Sequence, residues 1–391
     1  MANTIITSKM TQILSLEMAK LAGFVKIGAK DYFSDQINGK MRAGQTYTFV
    51  LPDAGNVVQG LVASPRDIEE KKVELTIKNW DNSVKTDVLE GVTDIKWEEE
   101  IAKQYAKKLI QALEADAVAD ALKKATTCFV GHGFAPLANA GAHIQSITNE
   151  DVYGFVDPQM QATLASNGQS FVPTGSPSDL YAKGHLGVFQ GVDYTAERFI
   201  KPMKIAQGLV DAVSAAKATQ LNADGDELTI TGVVGTATLP EGCPIFVEGL
   251  FAADTVGDET NVPFAFFPVS AHSLTAGSNT IKVTPVVTAD IGARDVVGDM
   301  TAANNGGVSV PESGSYYRGI IRADGAYCYT PVNTLDFRLS DKMTQGDTDG
   351  IKVFCNSFTD GISAVNTTRW DAPSMYGTVE KRAVSVVMWK K

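Results

Sequence analysis

The chain has 391 residues, 44% apolar and 20% charged, and carries a formal net charge of −11 from 45 acidic and 34 basic side chains. This is a globular composition, long enough for a sizeable core and for about two to three domains. The acidic balance excludes broad nucleic-acid binding, which needs a basic face to meet phosphates, and favours solubility through self-repulsion.

Four cysteines, Cys128, Cys243, Cys328 and Cys355, stand far apart without a CxxC spacing. They read as reduced thiols of a cytosolic protein. The sequence shows no basic leader followed by an apolar stretch and no run of about 18 apolar residues, so neither export nor a membrane span is expected.

Within residues 1 to 35, "MTQILSLEMAKLAGFVKIGAK" places Ile13, Leu14, Met18, Leu21 and Val25 at helical spacing. These are few apolar residues for anchoring a core, so the stretch is expected to dock on a partner or a neighbouring copy. "QTYTFVL" and "VELTIKN" alternate as strands around the turn-rich "PDAGNVVQG" and the charged "SPRDIEEKK". They predict a long two-stranded ribbon that must rest on something else, because an isolated ribbon is marginal in water.

Residues 94 to 125 predict a long helix. Asp94 can cap it, Glu98, Glu99 and Glu100 suit its positive end, and Lys123 and Lys124 its negative end. Trp97, Ile101, Tyr105, Leu109 and Leu113 recur every four residues. Residues 128 to 207 are mixed and Gly-rich, with a strand-turn-helix at "VYGFVDPQMQATLAS". From 208 to 312 short strands follow one another ("DELTITGVV", "CPIFVEGLF", "AFFPVSA", "NTIKVTPVV") with no helix beyond two turns, as in a small inserted barrel or sandwich. Longer strands return in "YYRGIIRADGAYCYTPV" and "GIKVFCNSFTD".

Motifs of catalysis are missing. There is no GK[ST] phosphate loop, HExxH or GxSxG, and "GHGFAP" neither forms a dinucleotide fingerprint nor precedes a helical stretch. His132, His143, His185 and His272 are scattered, and the Cys128–His132 spacing is broken by Gly131. The acidic "NADGDE" and "GDTDG" lack the ligand pattern of a calcium loop and read as turns. No catalytic, cofactor-binding or metal-binding residue is assigned.

The order of parts resembles the major capsid proteins of tailed phages with the Hong Kong 97 fold. A closer likeness is to the P-twenty-two-type coat proteins, which carry an inserted six-stranded β-barrel. "DELTITGVVGTATLPEGCPIFVEGLF" (226–251) and "AFFPVSAHSLTAGSNTIKVTPVV" (265–287) look like parts of that insertion. The C-terminal signature Val-Asn-x-Thr-Arg is matched at Val365, Asn366, Thr368 and Arg369, followed by Pro373 and Gly377. Ala364 stands where a glycine is usual, and "VEKRAVSVVMWKK" departs from the family's ending.

The resemblance implies an α+β fold with an N-terminal arm (1–39), an E-loop ribbon (40–92) and a spine helix of the peripheral domain (93–127). An axial domain (128–207 and 313–356) would surround the inserted barrel (208–312), and residues 357–391 would return to the peripheral domain. It implies a non-enzymatic capsid subunit, without cofactors, that forms hexamers and pentamers in a closed icosahedral shell of triangulation number seven. The shell would form in the host cytoplasm with scaffolding and portal proteins, then expand as it encloses double-stranded DNA without sequence-specific binding. Subunit contacts are expected at Asp224, Asp226 and Glu227 in the acidic turn, and at Asn366, Arg369 and Trp370 in an Asn-Thr-Thr-Arg loop. The competing class is a secreted or phage tail-associated binding protein with a β-barrel recognition module. The missing leader disfavours the first form, and the long helix the second.

Overall fold

A computed structural model describes residues 2–32, 44–52, 70–87, 95–167, 185–255, 258–287, 295–298, 306–332, 343–360 and 365–391. Helix α1 (Ala2–Leu21) is followed by strands β1 (Ala29–Lys30), β2 (Thr46–Pro52) and β3 (Glu70–Asp87), then helix α2 (Ile95–Lys124). Next come β4 (Thr127–Gly131), α3 (Ala135–Ile147), β5 (Val152–Val156) and α4 (Pro158–Asn167). They lead to β6 (His185–Phe189), β7 (Val192–Ala196), β8 (Met203–Ile205) and the short α5 (Gln207–Val213). A strand-rich stretch holds β9 (Lys217–Leu221), β10 (Glu227–Val233), β11 (Ala237–Leu239), β12 (Ile245–Ala253) and β13 (Glu259–Pro268). It continues with β14 (His272–Leu274), β15 (Gly277–Thr284), β16 (Val296–Val297) and β17 (Val308–Ser309). The remaining strands are β18 (Gly314–Ala323), β19 (Tyr327–Pro331), β20 (Met343–Thr348), β21 (Ile351–Asp360), β22 (Val365–Thr378) and β23 (Val384–Lys390).

Two compact units result. One takes Met1–Phe49, Val73–Ala117 and Cys328–Gly377; the other takes Val50–Lys72, Val118–Tyr327 and Thr378–Lys391.

In the first unit β22 is the central strand. It pairs antiparallel with β3 from Val365 to Met375 and with β21 from Val365 to Asp371. Further along, Val332 donates its backbone N–H to Pro373 O, on the side of β19. The strands β2 and β3 pair as the ribbon read from the sequence; its tip, residues 53–69, lies outside the described residues. Helix α2 buries Ala102, Ala106, Leu109, Ile110, Leu113 and Ala117. The four-residue stripe read from the sequence agrees only in part, because Ile101 and Tyr105 are half-buried. A four-residue step overshoots the helical turn and slides the stripe about 40° each time. The expected cap Asp94 and the side chain of Trp97 lie outside the described residues.

The N-terminal stretch corrects its sequence reading. Leu14, Met18, Phe24 and Val25 are fully buried, and α1 lies against β20 and β21. Thr11 and Ser15 are buried too, their hydroxyls 3.0 Å from those of Thr344 and Thr348. A Cβ at Gly346 would stand 2.5 Å from the Thr11 carbonyl oxygen, so glycine is what lets the helix approach. Sequence alone undercounted this face because two of its buried members are hydroxyls whose partners lie on a distant hairpin.

Glu114 fixes the chain just after α1. It is 1% exposed, and its Oε1 accepts from the Gly23 N–H at 2.7 Å and the Val25 N–H at 3.5 Å. Removing it orphans buried donors, whereas the exposed Glu17–Lys20 pair is a surface contact. In urea unfolding followed by circular dichroism, Glu114→Ala should cost about 2–3 kcal/mol and Glu17→Ala under about 0.5 kcal/mol. Equal small losses would show that the carboxylate does not hold the segment.

In the second unit β23 is the central strand, antiparallel to β18 and parallel to β4. Helix α3 packs on β23, β4 and β18, so Val386, Val387 and Met388 have no solvent-facing side. Its apolar run is the pattern of a strand buried on both faces. The segment 357–391, read from sequence as one return to the helix's domain, therefore divides: β22 serves one unit and β23 the other. The stretch after "GHGFAP" is another correction, since α3 begins at Ala135 with Pro136 in its first turn. Gly141 hid that helix from the sequence reading, yet it has a packing purpose: a Cβ there would stand 2.8 Å from the Val192 side chain. Asp157 caps α4 as the strand-turn-helix pattern suggests, accepting from the Gln159 N–H at 2.7 Å.

Strand β5 pairs with β18 and with β7, and Arg322 of β18 is fully buried between the rings of Phe155 and Tyr327. Within 208–312, β9, β10, β15 and β13 pair in succession, β12 joins β13, β16 and β17, and β11 pairs with β14. Phe264 of β13 also pairs with Thr127 of β4, so the strand network runs on beyond this stretch.

Candidate functional site

The acidic turn joins β9 to β10. Gly225 takes a φ of 71°, and its backbone lies against that of Val287. Asn222 organises the turn by accepting from the N–H groups of Asp226 and Glu227, each at 2.9 Å. Asp224 and Glu227 face solvent. Asp226 does not join them: it accepts from Asn222 Nδ2 at 2.7 Å and lies 3.3 Å from Lys282 Nζ. The Asn222 hydrogen bond, with help from Lys282, holds its carboxyl below the usual range. The three acids therefore split into two outward charges and one that braces the turn. The second acidic stretch is a two-residue hairpin, Asp349 (φ 48°) and Gly350 (φ 79°), between Thr348 and Ile351.

The Asn-Thr-Thr-Arg segment is a strand interior, not a loop. Asn366, Thr367, Thr368 and Arg369 all pair with both β3 and β21. Trp370 is fully buried, with its ring centroid 5.2 Å from that of Tyr105, so in this chain it belongs to the core. Arg369 is about a third exposed and donates to Asp371 from Nε at 3.0 Å and Nη2 at 2.7 Å. Its Nε lies 3.7 Å from Asp81. Asp371 also accepts from Asn79 at 2.8 Å. The signal that was overlooked is the two-residue spacing of Arg369 and Asp371, which puts both on one face of a strand.

Replacing Arg369 with alanine should cost about 1–2 kcal/mol in urea unfolding, since the nearly buried Asp371 keeps Asn79. Trp370→Ala should cost about 3–5 kcal/mol as a core truncation. A neutral result for both would return this segment to the surface.

All four cysteines are free and buried. Burial pushes the Cys128 thiol up and that of Cys243 up to about 12, far from the thiolate form that nucleophiles and metal ligands need. Among the described residues no three His, Cys, Asp or Glu side chains converge as a metal-binding set. His143 on α3 is 7% exposed, lies 5.6 Å from the Phe129 ring, and has an Nε2 without a hydrogen-bond partner among the described residues. Burial lowers its pKa to about 4.

A histidine whose folded pKa lies below its unfolded value stabilises the fold fully above the unfolded pKa. That contribution is lost as pH falls toward the folded pKa. His143 should thus withdraw about 2 kcal/mol between pH 7 and pH 5. His143→Leu should flatten the slope of stability against pH in that window. An unchanged slope would mean that His143 is solvated or protonated in the native fold.

No protein family and no curated protein sequence matches the chain. Among solved structures, a chain from Mycobacterium phage Che8 aligns over 93% of this chain and 90% of its own, with 11% identity and a TM-score of 0.47. A chain from the capsid structure of the Cyanophage P-SCSP1u aligns over 90% and 85%, with 10% identity and a TM-score of 0.42. One from a virus-like particle from Pyrococcus furiosus covers 97% of both chains, at 8% identity and a TM-score of 0.43.

Proposed function

We propose that this chain is the major capsid protein of a tailed double-stranded DNA phage, a structural subunit that assembles into an icosahedral shell. The observation that carries the reading is the build of the first unit. An N-terminal helix comes first, then a two-stranded ribbon, then a 30-residue helix, and a late strand returns to complete the ribbon's sheet. The resemblance drawn from the sequence implies these parts in this order.

In this reading residues 1–39 are the arm, 40–92 the E-loop, 93–127 the spine helix and 208–312 the inserted module. Its partners are further copies in hexamers and pentamers, a scaffolding protein and a portal. The acidic charge lets the shell enclose DNA without gripping it. Asp224 and Glu227, exposed on the turn, are the contact candidates that keep a free charge to offer a neighbour.

The test is electron microscopy of the overexpressed, purified chain. Closed shells, or tubes and polyheads built of the same subunit, are expected. Monodisperse small particles at every protein concentration and salt would overturn the reading.

A further inference from the structure

The acids of α2 and the lysines of its first half have different fates. Glu114 accepts from the backbone at residues 23 and 25, Asp116 meets Lys78 and the Tyr376 hydroxyl, and Asp120 meets Thr378 and Lys124. The helix's outer face presents Lys103, Gln104, Lys107, Lys108 and Gln111, all exposed. Among the described residues none of these three lysines meets a carboxylate. Lys26, Lys282 and Lys381 each have an acidic partner, while Lys201, Lys204 and Lys217 are exposed without one among the described residues but lie on or beside strands, not together on one helix face.

The stretch "IAKQYAKKLIQAL" (101–113) contains no acidic residue, and the exposed Glu100 just before it makes no ion pair with Lys103. Lys103 and Lys107 are one turn apart on the same side, an arrangement that is mildly unfavourable in isolation. In a chain of net charge −11, a face of this kind leaves positive charge unanswered by its own fold.

We propose that this lysine face of α2 is a contact surface for the carboxylate-bearing surface of a second copy of this chain. Charge complementarity selects that occupant. Each copy offers exposed acids such as Asp224, Glu227 and Glu259, and in a homomeric assembly a neighbour is always at hand. Nucleic acid fits less well, because three lysines are a small footprint against the repulsion between a polyanion and an acidic molecule. The inference rests on the shell reading above and adds which face of the subunit makes an electrostatic contact.

The test uses the full chain and a variant carrying Lys103→Gln, Lys107→Gln and Lys108→Gln, glutamine being a good helix former. Thermal melting, light scattering and electron microscopy are compared at low and high salt, alongside binding of a labelled short DNA duplex. The variant should melt like the wild type but need about tenfold more protein to assemble at low salt. Added salt should bring the wild type toward the variant. A second variant with arginine at the three positions should assemble like the wild type, and its failure to do so would overturn the charge argument. Wild-type shells matched by equally ready variant shells at every salt concentration would overturn this inference and leave the shell reading standing. Loss of duplex binding in the variant with assembly unchanged would assign the face to nucleic acid and overturn it as well. A wild type that never associates would sink both readings.

Discussion

Both sheets depend on strands that arrive late in the chain. β22 supplies hydrogen-bond partners to β3 and β21, and β23 supplies them to β18 and β4. Without them four strands would present open edges, each a row of unpaired N–H and C=O groups. Residues 370–379 and 382–389 are buried throughout, polar members included. Each of several such members has its own answer nearby. Asp371 has Arg369 and Asn79, Thr378 has Asp120, Arg382 has Glu380, and Ser385 has Thr127 at 2.6 Å. Burying these four groups costs little only because their partners are in place.

What could be read from sequence was what is local. The long helix over Ile95 to Lys124, the strand-turn-helix around Asp157 and the turn in "GDTDG" follow from periodicity and turn chemistry within a few residues. What failed was long-range. Glu114 serves an N–H 91 residues earlier in the chain, and Thr11 faces a hydroxyl 333 residues away. No window of sequence contains both ends of such a contact. The segment Asn366–Arg369 was misread as a loop because its polar residues resemble turn chemistry, whereas pairing on both sides by β3 and β21 makes it a strand. Of the expected contact residues, Asp224 and Glu227 stand at the surface, while Asp226, Arg369 and Trp370 are engaged within the chain.

The charges divide along the same lines. Acids that come near a backbone or a cation are drawn into the fold: Glu114 at the end of α1, Asp295 beside Lys381, Glu380 beside Arg382. Such contacts are short and shielded from salt, so they belong to the stability of one chain. Exposed charges contribute little to that stability and remain free to act between molecules. The surface acids are thus left for contacts with solvent and other molecules, while the buried ones hold the chain's shape.

The position of β22 and β23 also has a consequence in time. A growing chain leaves the ribosome from its N-terminus, so β3, β4, β18 and β21 all emerge before the strands that lie between or beside them. The first sheet cannot close until β22, ending at Thr378, is free of the exit tunnel, nor the second until β23, ending at Lys390, is free as well. Through that interval the nascent polypeptide displays unmatched edges that a second unfinished copy on the same polysome can occupy.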